Sequence, residues 1–484
     1  MRNTGPTPQE PTRPDSEERP SWVALLGCVV LAGVVYLLMA PGAAGTGLET
    51  SATVTGIAPA DPTRLALGLA IFVLVGGLWM SQALHLSITA LLVPVLASVA
   101  GLMTPREAFS AFAQPVIFLF MGGFALAAAL SKQGMDRALA HAVLRLAGGR
   151  QVVAVLLLFL LTALLSMWLS NTATAAMMLP LALGLLGQDA PLRTRAFVLL
   201  GLAYSASIGG MGTLVGSPPN AIAAAQAGLS FADWLAVGLP AVAVLLPLAW
   251  ATLYGVLRPE LGGGTATPAS PATAYVPLAW TPARITTAAI FGFTVLGWVF
   301  SAPLGRWLGV AQDMDALVAV AAIVLLGATG VLRWPDFERH TQWGVLLLFG
   351  GGLTLSQIMA TSGASLFLAQ GLVSWVGGAP AWLVLLAVVG FVVVLTELVS
   401  NTASAALLIP IVMGMAPALG LDAPGLAVAV ALAASCAFML PVATPPNAIV
   451  FGSGQVSQRD MMRCGLVLNS CSTLAITALI YSVV

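Results

Sequence analysis

Charged residues are scarce in this chain. They make up 7% of its 484 residues, and the 18 basic residues are scattered without forming a cluster. Nucleic-acid binding requires a basic patch that neutralises phosphates, so this class of function is excluded. Hydrophobic residues make up 59% instead, and apolar runs repeatedly reach the roughly 20 residues that cross a bilayer. The sequence therefore predicts an all-α, polytopic membrane protein.

Residues that commonly carry catalysis or bind metals are scarce too. The four cysteines lie in apolar runs without disulfide or metal-ligand spacing, so we expect them to behave as small hydrophobic residues. The three histidines are isolated, and none has a partner at the spacing of a zinc-binding motif. No histidine lies near Ser170, a serine in the middle of an uncharged membrane segment, to act as its base. These absences argue against an enzyme.

About eleven apolar runs are predicted to cross the membrane, and two further apolar segments do not have the length of a simple span. Residues 151–187 and 381–418 are each too long for one span and too short for two comfortable ones, so we predict two re-entrant hairpins. The predicted spans lie near 22–40, 63–80, 86–101, 115–131, 196–226, 233–257, 285–303, 314–332, 342–375, 425–453 and 462–483.

Basic residues indicate the orientation of these spans. With the N-terminus in the cytoplasm, fifteen of the 18 Lys and Arg residues fall on the cytoplasmic side, and only Arg64, Arg106 and Arg306 fall outside. The C-terminus is then outside. Arginines flank both ends of 151–187, which predicts a hairpin from the cytoplasm, whereas 381–418 has no such flanks and is predicted to enter from outside. A pair of full spans in either segment would also return the chain to the same side of the membrane, so that alternative stays open.

The two halves of the chain contain matching sequence motifs. Asn171 and Asn401 lie 230 positions apart in the matching runs LSNTATAAMMLP and VSNTASAALLIP, and GSPPNAI at 216–222 matches ATPPNAI at 443–449 with an offset of 227. Each copy holds five spans and a hairpin, and because five is odd the second copy is inverted. Inverted repeats with interrupted helices are typical of secondary transporters, which makes a channel a weaker alternative. The predicted division is a disordered cytoplasmic tail at 1–20, an extra first helix and external loop at 21–61, a first repeat at 62–257, a cytoplasmic linker at 258–283 and a second repeat at 284–484.

The Ser-Asn-Thr triplets are predicted to form the tips of the two hairpins. Irregular backbone at membrane depth is tolerated only where it lines a cavity. Ser, Asn and Thr are good N-caps and would start the returning half-helix with free N–H groups that attract an anion. The half-helix that ends at the same tip offers carbonyls, together with the hydroxyl of Ser166 or Thr396 four residues before each triplet, as hard oxygen ligands for sodium.

Consecutive prolines predict two broken helices. In S-P-P-N at 217–220 and T-P-P-N at 444–447 they remove two donors and force the preceding residue out of helical geometry. The glycines in IGGMGTLVG, at 208–216, favour an open backbone whose carbonyls can face a cation. The alternative is a plain proline kink, which the repetition makes less favoured.

Basic side chains are absent around the triplets and the proline pairs, where the only acids are Asp233 and Glu397. An anion bound there would meet dipoles but no basic group, which is costly in a low dielectric. Bound cations would supply that charge and favour cation-coupled uptake, although a neutral oxyanion acid such as arsenite would also fit. Glu397 is predicted either to balance cation charge or to pair with a neighbouring helix. The segments without Lys or Arg are 151–187, 196–257, 381–421 and 423–458.

The paired triplets and proline motifs resemble those of the divalent anion/sodium symporter family, which includes bacterial and animal carriers of dicarboxylates, citrate and sulfate. The resemblance covers about residues 60–484. It implies a homodimer in a bacterial inner membrane, each protomer having a scaffold domain and a mobile transport domain. Both hairpins and both broken helices would belong to the transport domain, which would move across the membrane as an elevator.

The resemblance also implies two sodium sites, one in each repeat. Position 399 departs from the expected pattern because a bulky valine precedes the second triplet, so only its backbone is expected to bind. The implied ligands are Ser166, Ser170, Asn171 and the backbone of Gly216 for the first ion, and Thr396, Asn401 and the backbone of Val399 and Ala443 for the second.

The implied substrate lies between the two tips. In this family a glycine in place of a triplet serine goes with larger tricarboxylates, and both serines are present here. The resemblance therefore favours sodium-coupled uptake of a C4-dicarboxylate such as succinate, malate or fumarate. A sodium-independent dicarboxylate or anion exchanger, and a sulfate or citrate carrier, are the alternatives. The implied substrate contacts are Ser170, Asn171, Thr172, Ser217, Ser400, Asn401, Thr402, Thr444 and Pro445.

Overall fold

Helices are the regular elements of every described part of the chain, which confirms the predicted all-α class. The predicted tail at 1–20, the loop at 41–60 and most of the predicted linker lie outside the described residues. The computed structural model describes residues 21–40, 61–148, 150–186, 190–261, 279–310, 312–376, 379–419 and 421–483.

Caps and prolines fix where many helices of the first half begin. Asp61 accepts a hydrogen bond from the N of Thr63 at 2.9 Å, and Pro62 occupies the first helical position, where its missing N–H costs nothing. Ser230 and Asp233 form a capping box that starts the longest helix of this half. The helices are α1 (Trp22–Met39), α2 (Pro62–Ser81), α3 (Leu86–Val99), α4 (Pro105–Ser110), α5 (Pro115–Lys132), α6 (Met135–Arg145), α7 (Gln151–Ser166), α8 (Asn171–Leu185), α9 (Leu192–Gly209), α10 (Pro218–Ala227) and α11 (Phe231–Leu257), with 3₁₀ turns at Ala111–Ala113, Gly210–Gly212 and Leu214–Gly216.

The second half follows the same order of helices, with one additional short helix. The helices are α12 (Pro282–Val299), α13 (Ser301–Leu308), α14 (Met314–Ala328), α15 (Trp334–His340), α16 (Trp343–Thr361), α17 (Ala364–Val376), α18 (Ala381–Thr396), α19 (Asn401–Leu419), α20 (Ala423–Ala434), α21 (Pro445–Gly452) and α22 (Gln458–Val483).

Helix packing follows the repeat. Helices α2 to α11 correspond in order to α12 and α14 to α22, and α1 and α13 have no counterpart. Helix α5 packs on α14, while α16, the counterpart of α5, packs on α3, the counterpart of α14. Likewise α10 packs on α19, and α21 packs on α8. Such reciprocal contacts are what a two-fold relation between two copies produces.

The predicted spans correspond to helices of several kinds. Within the described residues, seven stretches are long and apolar enough to cross a membrane: α1, α2, α4 with α5, α11, α12, α16 and α22. Helices α3 and α14 have only 14 and 15 residues. The span predicted at 342–375 differs most, because it is two helices that separate at Gly363, whose φ is +79°. Gly134, with a φ of +65°, separates α5 from α6 in the first repeat.

The remaining predicted spans and both predicted hairpins contain the breaks that position the site. The span near 196–226 is broken between α9 and α10, and the span near 425–453 between α20 and α21. Two 3₁₀ turns bridge the first break, while residues 435–444 bridge the second without helix. In the hairpins, α7 turns into α8 and α18 turns into α19 over four residues each.

Candidate substrate and cation site

The tip of the first hairpin lies between α7 and α8. Ser170 has the extended backbone of an N-cap, and its Oγ accepts a hydrogen bond from the N of Ala173 at 3.3 Å. Asn171 and Thr172 form the first turn of α8, so the triplet caps the returning half-helix as the sequence predicted. The tip presents N–H groups at the positive end of a helix dipole, which suits a carboxylate.

Three oxygen atoms meet behind this tip. The Oγ of Ser166 lies 2.7 Å from Oδ1 of Asn171 and 2.7 Å from the carbonyl oxygen of Ala206 in α9, and Ser166 is fully buried. A hydroxyl carries one proton, so it can satisfy only one of these two acceptors. The N of Gly210 also donates to the Ala206 carbonyl, so the hydroxyl proton can go to Oδ1 of Asn171, and the remaining lone pairs of the three oxygens are free to face a cation.

The second hairpin repeats this cluster. The Oγ1 of Thr396 lies 2.8 Å from Oδ1 of Asn401 and 2.7 Å from the carbonyl oxygen of Ala434 in α20, and Thr396 is fully buried. The hydroxyl of threonine has the same single proton as that of serine. Equal geometry at corresponding positions indicates that the two clusters serve the same purpose.

Gly210 allows the first cluster to form. A Cβ at this position would lie 2.3 Å from Oδ1 of Asn171, a distance that no side chain tolerates. Gly216, whose backbone is an implied sodium ligand, packs tightly against Gly210. A Cβ at Gly216 would lie 2.6 Å from the carbonyl oxygen of Gly210. Gly210 thus brings bare backbone against the Asn171 amide, and Gly216 packs its backbone against that of Gly210.

Asn220 and Asn447 hold the two broken helices in the same way. The Nδ2 of Asn220 donates to the carbonyl oxygens of Gly210 at 2.9 Å and Thr213 at 2.7 Å. The Nδ2 of Asn447 donates at 3.1 and 3.0 Å to the carbonyls at the same two spacings, 10 and 7 residues before it. These carbonyls were expected to be open to a cation, but the asparagines partner them where the backbone leaves helical geometry.

Besides Oγ of Ser207 in α9, four buried oxygens at corresponding positions of the two repeats have no hydrogen-bond partner. They are Oδ1 of Asn220 and Asn447, Oγ1 of Thr174 in α8 and Oγ of Ser404 in α19. All four side chains are fully buried. They form two pairs at corresponding positions of the repeats. An unpartnered buried polar group costs about 1–3 kcal/mol, so its recurrence in both repeats indicates a region built to bind further groups.

The two tips face a shared region. Helix α8 packs on α21 and α19 packs on α10, so each returning half-helix contacts the broken helix of the other repeat. The Oη of Tyr204 in α9 donates to the carbonyl oxygen of Phe438 at 2.7 Å, which joins the first broken helix to the break of the second. A ligand between the tips would therefore contact both repeats.

A cavity of about 350 Å³ opens beside the first tip, where Leu169 and Ser170 line it. It extends to Asp136 and Arg137 in α6 and to His340 at the end of α15. Its volume is of the order that small-molecule sites have. The cavity thus connects the tip to a polar mouth that includes a cationic side chain.

The other implied contacts differ in how the structure places them. Ser217 is buried and makes no capping hydrogen bond, whereas Oγ1 of Thr444 accepts one from the N of Asn447 at 3.3 Å. Thr172 and Pro445 are exposed. The half-buried residues are Ser170, Asn171, Ser400, Asn401, Thr402 and Ala443, and Val399 is buried.

Sequence reasoning missed several groups at the site. The carbonyls of Ala206 and Ala434 belong to the two oxygen clusters, yet alanine carries no side-chain signal. Thr213, whose Oγ1 donates to the carbonyl of Met167 at 2.5 Å, and Asn469, which donates to Glu397 at 2.7 Å, were missed as well. The offset of 227 would place Ala206 opposite Ala433, so only the hydrogen bonds show that Ala434 is the counterpart of Ala206.

The paired hairpins and broken helices around one shared region define the chain as a membrane transporter. Its fold is similar to that of the Alcanivorax borkumensis YdaH transporter, with a TM-score of 0.53 and 16% identity over 86% of this chain and 97% of that one. It is also similar to MtrF of Neisseria gonorrhoeae, described among antimetabolite efflux pumps, with a TM-score of 0.55 and 14% identity over 95% and 94% of the two chains. At such identities the likeness concerns the fold alone.

Sequence relatives identify the family. Residues 77–435 match the family described as citrate transporter. An uncharacterized transporter of Haemophilus influenzae is 48% identical over 435 residues, 88% of this chain and 93% of that protein. The sodium-dependent dicarboxylate transporter SdcS of Staphylococcus aureus is 32% identical over 448 residues, 86% and 85% of the two chains. The chain belongs to the citrate transporter family, and its predicted membership of the divalent anion/sodium symporters is confirmed.

Proposed function

We propose that this protein is a secondary active transporter that couples the uptake of a C4-dicarboxylate to the entry of sodium. The observation that carries the proposal is the pair of oxygen clusters built on Ser166 and Thr396, which repeat the same distances in segments without Lys or Arg. An anion bound between such tips requires neutralising cations. Similarity to a sodium-dependent dicarboxylate transporter supports both the cation and the substrate class.

Each oxygen cluster would hold one sodium ion. The hydroxyl, the amide oxygen and the α9 or α20 carbonyl supply hard oxygen atoms within one small volume. The proposed ligands are Ser166, Ser170, Asn171, Ala206 and Gly216 for the first ion, and Thr396, Val399, Asn401, Ala434 and Ala443 for the second.

The substrate would bridge the two tips, one carboxylate at each. Each tip offers N–H donors at a helix N-terminus and small hydroxyl groups, and the adjacent sodium ions would supply the missing positive charge. The serine of each triplet leaves less room than glycine, which favours a C4-dicarboxylate over a tricarboxylate. The proposed contacts are Ser170, Asn171, Thr172, Ser217, Ser400, Asn401, Thr402, Thr444 and Pro445.

The transport cycle would be an elevator movement. The hairpins and broken helices pack on one another across the repeats, so they can move as one body against the remaining helices. The cavity beside Ser170 reaches Arg137 and His340, on the side that the arginine distribution assigns to the cytoplasm. The protein would function as a homodimer in a bacterial inner membrane, with its N-terminus in the cytoplasm and its C-terminus outside.

Citrate is a second candidate substrate, because the family that matches residues 77–435 is described as citrate transporter. A third carboxylate would need space near the triplet serines, or binding in a form with reduced charge. Sulfate would fit the same N–H groups and hydroxyls but could not span both tips. These candidates differ in which ligand binds in the presence of sodium.

Thermal unfolding of the purified protein separates these candidates, because a ligand that binds the folded state raises the unfolding temperature. Succinate, malate and fumarate should each stabilise the protein in sodium chloride and have no effect in potassium chloride. Larger stabilisation by citrate or sulfate would reassign the substrate. Equal stabilisation by succinate in both salts would support a sodium-independent exchanger and contradict symport.

A further inference from the structure

Glu397 is the sequence neighbour of Thr396, whose hydroxyl belongs to the second oxygen cluster. Glu397 follows Thr396 at the C-terminal end of α18 and is 5% exposed. A carboxylate at this depth needs partners, since burying a charge without them is costly. Its surroundings therefore show what it does.

Four N–H groups surround this carboxylate. Oε1 accepts hydrogen bonds from the N of Phe438 at 2.7 Å, the N of Met439 at 2.8 Å and Nδ2 of Asn469 at 2.7 Å. Oε2 accepts one from the N of Leu440 at 3.1 Å. Three of these donors are backbone groups that cannot act as acceptors, so the arrangement fits the ionised carboxylate.

The hydrogen bonds join three parts of the transport region. Glu397 ends the first half of the second hairpin, residues 438–440 belong to the break between α20 and α21, and Asn469 lies in α22. Ala434, whose carbonyl completes the second oxygen cluster, immediately precedes this break. The carboxylate thus fixes the position of Thr396 relative to the backbone that faces it.

No positive side chain offsets this charge among the described residues. The ion pair found there joins Lys132 to Asp336 and does not involve Glu397. Neither 381–421 nor 423–458 contains Lys or Arg. The N–H dipoles orient the carboxylate but leave its net charge in place.

The first repeat has no such charge. Met167 occupies the position that corresponds to Glu397, and Thr213 the one that corresponds to Leu440. There the backbone is held by Oγ1 of Thr213, which donates to the carbonyl of Met167 at 2.5 Å and accepts from the N of Gly216 at 3.2 Å. The same turn is closed by a neutral hydroxyl in one repeat and by a carboxylate in the other.

We infer that Glu397 is a positioning residue that gives the second cation site a fixed negative charge, so that the two sodium sites are inequivalent. The inference rests on the proposed sodium coupling. Because opposite charges attract over several ångströms in a low dielectric, the second site binds sodium more tightly and fills first when substrate is absent.

Sodium titration without substrate tests this inference. The unfolding temperature of the full-length protein is measured while sodium chloride replaces choline chloride at constant ionic strength. Glu397→Gln should raise the half-saturating sodium concentration about tenfold, the effect of one unit charge within about 10 Å of the ion at an effective dielectric constant of about 20. Glu397→Asp keeps the charge and should change that concentration less than about threefold.

Double variants locate the effect in one site. In a Thr396→Val background, which lacks the hydroxyl of the second cluster, Glu397→Gln should change sodium binding no further. In a Ser166→Ala background its full effect should persist. Equal effects in both backgrounds would contradict an influence confined to the second site.

A purely structural role gives a different result. If Glu397→Gln lowers the unfolding temperature in choline chloride but leaves the half-saturating sodium concentration unchanged, the inference is overturned. Should that variant aggregate in gel filtration, Asn469→Ala removes one donor but keeps the charge and should change the half-saturating sodium concentration less than about threefold, and a tenfold rise would show that the bonds of Glu397 rather than its charge govern sodium binding and would overturn the inference. If sodium does not change the unfolding temperature of the wild-type protein, both the proposed sodium coupling and this inference are refuted. If sodium does raise it, the variants test the role of Glu397 separately from the coupling.

Discussion

The two broken helices make the same turn with different chemistry. Asn220 and Asn447 donate to carbonyls at the same two spacings, and both breaks end at a proline pair that begins the next helix. The N–H groups are treated differently: 3₁₀ turns and Thr213 order the first break, while Glu397 accepts from three successive N–H groups of the second. The two repeats therefore share backbone shape and oxygen positions, but they differ in charge, because only the second repeat has a carboxylate at this turn.

The largest effect is expected from the residues that the two repeats share. Asn171→Ala and Asn401→Ala each remove the amide oxygen that completes a cluster. Each variant should abolish sodium-dependent transport while the protein still elutes as a folded species, because both ions are needed to neutralise the substrate. Uptake assays on both variants test this, with Ser470→Ala, an exposed hydroxyl in α22, as the control. Normal transport by either asparagine variant would show that its cluster is not a cation site.

A second prediction uses a glycine that only one repeat has. Gly210→Ala would place a Cβ 2.3 Å from Oδ1 of Asn171, whereas the corresponding residue of the second break is already Ala437. Gly210→Ala should weaken sodium binding about tenfold, since overpacking of this kind costs at least about 1 kcal/mol. Ala437→Gly should leave sodium binding within about twofold because it removes no contact with an amide oxygen. The half-saturating sodium concentrations of the two variants should therefore differ clearly. Similar concentrations would mean that the first cluster has more space than the structure shows.

A third prediction concerns the stability of the breaks. Asn220→Ala and Asn447→Ala each remove two buried hydrogen bonds and leave the carbonyl of Gly210 or Ala437 without this donor, while the N of Gly216 and of Ala443 still donate to Thr213 and Leu440. Each substitution should lower the free energy of unfolding by about 2–3 kcal/mol, the cost of unpaired buried polar groups. Denaturant unfolding in detergent measures the two losses. A loss confined to one variant would show that the breaks are held by different contacts after all.

The smallest effect on sodium binding is expected from Thr213, whose uncharged hydroxyl closes the turn of the first repeat. Thr213→Val removes a hydroxyl that bonds to Met167 and Gly216 but leaves no charge unpaired. It should destabilise the protein by about 1 kcal/mol and leave the half-saturating sodium concentration unchanged. Unfolding and sodium titration on the same sample check both parts. A change in sodium binding as large as that of Glu397→Gln would remove the distinction between the two turns.

Much of the fold follows from the sequence because apolar length and proline act locally. Two consecutive prolines interrupt a helix in any surroundings, so both breaks were predicted. A serine, asparagine and threonine in an uncharged run mark a cap, so both hairpin tips were predicted. The division of 342–375 into α16 and α17 was missed, because the glycine at 363 lies in a continuous apolar run and only its positive φ shows the turn.

The site was predicted less completely, since long-range contacts decide it. The hydroxyls of Ser166 and Thr396 and the two asparagine amides were expected at the tips, and their side chains do meet there. The carbonyl contributions of α9 and α20 depend on how helices 40 and 38 residues away pack against the hairpins. For Glu397, both alternatives hold together, since it bonds to Asn469, 72 residues later in a neighbouring helix, and keeps the charge that is inferred to act on the second cation site.

Uptake of labelled succinate by proteoliposomes tests the central claim most directly. Vesicles that contain the purified protein should accumulate succinate when an inward sodium gradient is imposed, and should not do so with an equal potassium gradient. Accumulation should also require no dicarboxylate inside the vesicles. Equal uptake with potassium, or uptake that depends on internal dicarboxylate but not on sodium, would contradict sodium-coupled symport.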